Sequence, residues 1–110
     1  MSAPLYELDR IHEAARCQRV TLHRTVQRDV TNLGYGFNDV CECLEALTPA
    51  DYAGRYVATA PDGSEIEFDV YKPSFSHSGG IDALYVKLSE RSNATLSQVV
   101  LGSFHLQRKG

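Results

Sequence analysis

The sequence has 110 residues, a formal net charge of −3 and a pI near 5.7. That length supports one domain over 1–110, and a hydrophobic content of 43% supports one modest core and excludes a disordered chain. The acidic balance speaks against a general nucleic-acid binder, and no segment approaches a membrane span. Three cysteines (Cys17, Cys41, Cys43) without an export signal point to reduced thiols in the cytoplasm.

Leu5, Leu8, Ile11 and Ala15 recur at helical spacing and Pro4 suits a helix start, so the first expected element is a helix, with His12 on its wet side. RVTLHR (19–24) reads as a short β-like piece. A second helix follows, with Thr25 as N-cap, Val26, Val30 and Leu33 on one face and Gly34 at its end. From Ala14 to Arg28 there is no acid, while Arg16, Arg19, Arg24 and Arg28 supply a local basic patch. Such a patch can hold phosphates on an acidic protein, although a solvated surface is the plainer reading.

Phe37, Val40, Cys41, Leu44 and Leu47 form the apolar stripe of a third helix, with Asn38 as N-cap and TPAD (48–51) as its stop. Glu42 and Glu45 fall on its wet side. On a helix Cys41 and Cys43 point about 200° apart, so they do not chelate one ion, and no metal site and no cofactor are expected.

The remainder reads as β. RYVATA (55–60) meets SEIEFDVYK (64–72) across PDG, a hairpin signal. In the second of these strands Ile66, Phe68 and Val70 alternate with Glu65, Glu67, Asp69 and Tyr71, which predicts the first set inward and the second outward. SFSHSGGID (74–82) reads as a mobile loop carrying a partnerless His77. ALYVKLS (83–89) alternates again, with Leu84, Val86 and Leu88 inward and Tyr85 and Lys87 outward. ERSNA turns the chain into a last strand, 95–107. Helices first and a four-strand antiparallel meander after them predict an α+β domain, with the N-terminal helices packed on one face of an antiparallel sheet.

On the wet face, a hairpin of the last two strands brings His105 beside Ala83 to Tyr85, near Lys87. Tyrosine, lysine, arginine and histidine together suit one metal-free reaction, RNA cleavage by its own 2′-hydroxyl. That reaction needs a base for the 2′-proton, cations for the phosphorane charge and an acid for the leaving 5′-oxygen. Histidine is the natural acid–base group near neutral pH. The plain alternative is an ordinary strand surface, with the lysine guarding an edge.

The ordered pieces VTLHR (20–24), GFNDVCECL (36–44), ADY (50–52), DVYKP (69–73), LYVKL (84–88) and SFH (103–105) resemble the MqsR family of bacterial type II toxins over about Val20 to His105. The resemblance implies a RelE-like toxin fold and a metal-independent mRNA endoribonuclease, cutting single-stranded mRNA at GCU-like sites and inhibiting translation and growth. It implies a cognate antitoxin carrying zinc-binding and helix-turn-helix domains. Zinc would then belong to the partner, and operator DNA would be reached only through it. The resemblance implies Tyr85 as a site residue. The family's site lysine falls near Gly54 or Arg55, its site glutamine on Phe68, and its last site lysine on His105.

The expected catalytic set is therefore Tyr85, His105, Arg55 and Lys87, with Arg16, Arg19 and Arg24 extending an RNA path. Arg55 supplies charge without being an easily deprotonated base. Phe68 cannot hydrogen-bond RNA, and a histidine at 105 is a chemically sensible acid–base substitute. The runner-up is a catalytically degenerate toxin-fold interaction module, or an autoregulatory partner of a DNA-binding antitoxin. Direct DNA regulation by this chain is disfavoured by its acidity and by the lack of a recognition helix.

Overall fold

The computed structural model describes residues 3–92 and 96–107. Three helices precede the main strands: α1 (Leu8–Arg16), α2 (Arg24–Asn32) and α3 (Phe37–Glu45), with β1 (Val20–Leu22) between the first two. A 3-10 turn (Pro49–Asp51) leads into β2 (Tyr52–Thr59), β3 (Glu65–Tyr71), β4 (Ser74–His77), β5 (Gly80–Ser92) and β6 (Ser97–Leu106). The sheet order is β1-β6-β5-β3-β2, with β4 paired to β5 off this path. This is the expected α+β architecture, and it agrees with a RelE-like toxin fold. The expected meander is the β2-β3-β5-β6 run, all antiparallel. The short piece after α1 adds one parallel edge strand, with Val20 opposite Val99.

The helices cover one sheet face. Ile11, Ala14 and Ala15 of α1, Val26 and Val30 of α2, and Val40 and Leu44 of α3 close on Leu84, Val86 and Leu88 of β5 and Val99, Leu101 and Phe104 of β6. Helix boundaries move from those expected. α1 begins at Leu8, beyond Leu5, and α2 begins at Arg24, so His23 and not Thr25 occupies the N-cap. At α3 the N-cap is Gly36 and not Asn38, its amide donating to Asp39 Oδ2 at 2.7 Å, and Phe37 is 39% exposed instead of lying in the core. Cys41 and Cys43 are both buried, and burial pushes the Cys43 thiol up to about 12. Both are inert core thiols.

Four expectations are corrected. In β3 the inward set is inverted: Asp69 and Tyr71 pair with Leu88 and Val86 on the helix face, while Phe68 and Val70 are buried on the other face and Ile66 is exposed. Asp69 is tolerated inside because the amides of Leu5 and Tyr6 donate to its carboxylate at 3.0 and 2.9 Å. The 74–82 stretch is a hairpin and not a loop. Ser78 and Gly79 have φ of 51° and 80°, the positive pair that a tight two-residue turn requires. His77 has partners: its ring packs 4.1 Å from the Tyr35 ring, and Nε2 lies 3.5 Å from Asp39 Oδ2. His12 is half-buried, with Nε2 2.8 Å from the Leu47 carbonyl oxygen. Of the expected ERSNA turn (90–94), Glu90 to Ser92 instead continue β5, paired to β6, and Asn93 and Ala94 lie outside the described residues.

Candidate active site

Two strands and a bulge build the site. Antiparallel pairing sets Tyr85 opposite His105 and Lys87 opposite Ser103, all on the face away from the helices. The register then shifts: Leu88 pairs with Leu101, leaving Gly102 as the extra residue of a β-bulge. A Cβ at Gly102 would stand 2.9 Å from Phe68 Cε1 and 3.1 Å from Lys87 Cε. The glycine therefore makes the space in which Phe68 and the Lys87 stem lie side by side.

Tyr85 and His105 form a parallel stack, with ring centroids 5.2 Å apart and planes within 10°. His105 Nδ1 lies 2.7 Å from the Leu106 carbonyl oxygen. A carbonyl only accepts, so Nδ1 carries the hydrogen and the neutral ring presents Nε2 as a proton acceptor. Lys87 Nζ sits 4.1 Å from the centre of the Tyr56 ring and 5.2 Å from that of Phe68. The ring faces attract the cation, while partial burial lowers its pKa below the ordinary lysine value.

Tyr56, Tyr85, Lys87 and His105 line a cleft of about 360 Å³ together with Lys72, Ser103 and Gln107. Among the described residues, its lining holds two lysines and no carboxylate. Gln107 closes the strand end, with its amide donating to the Ala83 carbonyl at 2.8 Å and Nε2 to the Leu84 carbonyl at 3.1 Å. The arrangement offers a proton acceptor, two phenols and two cations around one hollow. That set suits a phosphodiester, which needs charge neutralisation and proton transfer at adjacent oxygens.

Three of the four expected catalytic residues meet here: Tyr85, Lys87 and His105. Arg55 does not. It pairs with Asp69, so it leaves the sheet on the helix side, where Nε and Nη2 donate to the Ala3 carbonyl at 3.1 and 2.7 Å. Strand alternation puts its neighbour Tyr56 into the cleft instead. Of the expected RNA path, Arg19 is engaged, with Nε donating to the Ser97 carbonyl at 2.7 Å and Nη2 3.8 Å from Glu13. Arg16 and Arg24 are exposed near helix ends, and none of the three lines the cleft.

Sequence reasoning missed Lys72, Tyr56, Ser103 and Gln107. Lys72 follows Val70 by two positions and shares its side of the chain, which alternation alone put inward, so its place in the cleft depends on the inverted facing of β3. Phe68, which stands where the family's glutamine is expected, is the floor beneath Lys87.

A family of toxins described as the motility quorum-sensing regulator, toxin of MqsA, matches residues 3–105. No curated protein matches the chain.

Proposed function

The chain belongs to the MqsR toxin family, and from that premise we propose that it is a metal-independent endoribonuclease that cleaves single-stranded mRNA through the Tyr85–His105 cleft. Membership makes it the toxin of a toxin–antitoxin system and implies an antitoxin partner. The observation that carries the reaction is the stacked Tyr85–His105 pair beside two lysines, with the histidine's free nitrogen available as a base.

In this reading His105 Nε2 takes the proton of the 2′-hydroxyl. The 2′-oxygen attacks the phosphorus, the bond from phosphorus to the 5′-oxygen breaks, and a 2′,3′-cyclic phosphate and a 5′-hydroxyl result. Lys87 and Lys72 neutralise the charge on the phosphorane oxygens, and the Tyr85 hydroxyl supplies the proton to the leaving 5′-oxygen. Lys72 takes the phosphate-holding role that the sequence suggested for Arg55. Neutralisation of the toxin by an antitoxin with zinc-binding and helix-turn-helix domains, a cytoplasmic setting and GCU-like cutting sites belong to the same proposal.

The test is cleavage of a long mRNA without ribosomes and with chelator present. Wild type cuts at a short recurring sequence, and Arg55→Ala retains that cutting. Lys72→Ala weakens binding and lowers the slope of log affinity against log salt by about 0.7, the value for one phosphate contact on a single strand. A folded wild type that cuts no RNA would overturn the proposal and leave a toxin-fold binding module.

A further inference from the structure

A second hollow, of about 290 Å³, adjoins the first and shares His105 with it. Its other walls are Asp29, Asn32, Leu33 and Leu106. Positions 29, 32 and 33 are i, i+3 and i+4 along the end of α2, so helical spacing puts them on one side. Leu106 is 46% exposed and offers an apolar surface. Among the described residues, no side-chain hydrogen bond or ion pair engages Asp29 or Asn32.

The two hollows differ in sign. The cleft holding Lys72 and Lys87 suits a phosphate. Among the described residues, the hollow beneath α2 holds one carboxylate and no lysine or arginine, a lining that would repel a phosphate, while its leucines suit a flat apolar face. A nucleobase combines such a face with a polar edge. A carboxylate only accepts, and guanine alone among the four RNA bases has two adjacent donors, N1–H and N2–H₂, on its Watson–Crick edge. Asn32, with both a donor and an acceptor, can complement the remaining edge.

We propose that the Asp29–Asn32 hollow is a base-recognition subsite for guanine, holding the nucleotide next to the phosphate that His105 acts on. This rests on the RNA-cleavage reading and adds the residues that select the sequence. His105 borders both hollows, so a strand lying across it would leave its phosphate with the lysines and its base with α2.

Two measurements test it. In the first, ¹⁵N-labelled full-length protein is titrated with GMP, AMP, CMP and UMP while amide shifts are followed. GMP is expected to shift Asp29, Asn32 and Leu33 and to bind at least tenfold tighter than the other three, and Asp29→Asn is expected to abolish that preference. Equal shifts by all four, or shifts confined to the cleft around Lys72 and Lys87, overturn the subsite. In the second, cleavage sites of wild type and Asp29→Asn are mapped on one long RNA. The variant is expected to keep cutting while its discrimination at one guanine position falls by about ten- to hundredfold, the range for losing a paired base contact. An unchanged site map overturns the subsite while leaving the cleavage reading intact. Should wild type cut nothing, that reading fails, and the nucleotide titration still decides the subsite.

Discussion

Tyr85 and His105 face each other directly across β5 and β6, and their rings stack 5.2 Å apart. The pairing makes the tyrosine a wall that holds the imidazole plane, while the Leu106 carbonyl selects its tautomer. If the ring is the general base, His105→Ala lowers single-turnover RNA cleavage by about 10²–10⁴-fold, the usual size of a general-base contribution. Circular dichroism should show the fold intact, because the side chain is only half-buried. Unchanged cleavage would make His105 a surface residue.

Lys87 carries a desolvation cost. Burial lowers its pKa, so between that lowered value and the ordinary value of 10.5 the unfolded chain binds a proton that the folded chain releases. Stability contributed by this group therefore rises with pH through that window, and at neutral pH its partly buried charge works against folding. Lys87→Met is expected to hold or raise the thermal midpoint at pH 7 while cutting RNA cleavage at least tenfold. A midpoint several degrees lower would show that the ring contacts with Tyr56 and Phe68 outweigh desolvation.

Gly102→Ala tests the bulge. The added methyl meets Phe68 and Lys87 at 2.9 and 3.1 Å, so one of them must move. Overpacking of this kind costs about 1–3 kcal/mol. Urea denaturation should show that loss, and cleavage should fall with it because Lys87 leaves its place over the Tyr56 ring. A variant with wild-type stability and activity would mean that the strands separate there freely.

Asp69 ties the segment before α1 to the sheet. Its carboxylate accepts from two backbone amides, and Asp69→Ala leaves both amides without that partner. The expected loss is roughly 3 kcal/mol, given that each hydrogen bond to a charged group is worth about 1.5–3 kcal/mol. Amide hydrogen exchange at Leu5 and Tyr6 should accelerate in a milder variant, Asp69→Asn. Protection unchanged in Asp69→Asn would remove this role.

The Tyr71 hydroxyl is buried and makes no hydrogen bond among the described residues, and desolvation pushes it up to about 12. Tyr71→Phe removes an unsatisfied group at little cost in shape, so stability should hold or rise by up to about 1 kcal/mol. A loss of more than that in denaturant titration would reveal a partner for the oxygen.

The chemistry-bearing strands were readable because period two is local: LYVKL and SFH announce which residues share a side, and a hairpin between them brings Tyr85 near His105. Arg55 was misplaced for a tertiary reason. Resemblance aligned it with a site cation, but its register partner is Asp69, which lies on the helix face. The 74–82 hairpin was missed because Ser-Gly composition marks a turn without saying that its flanks pair with each other.

By itself the sequence determined the class of the molecule: helical spacing, strand alternation and the glycines at turns are written in neighbouring residues. It also determined the toxin family, through ordered pieces spread over most of the chain. Tertiary structure decided which face of β3 is the inside. Alternation distinguishes two faces without ranking them, and the Asp69 carboxylate is satisfied by amides more than sixty positions away. Tertiary structure also decided that Lys72 enters the cleft and Arg55 leaves it, and that α2 reaches His105. These outcomes depend on strand register and on packing between distant segments, which no local pattern encodes.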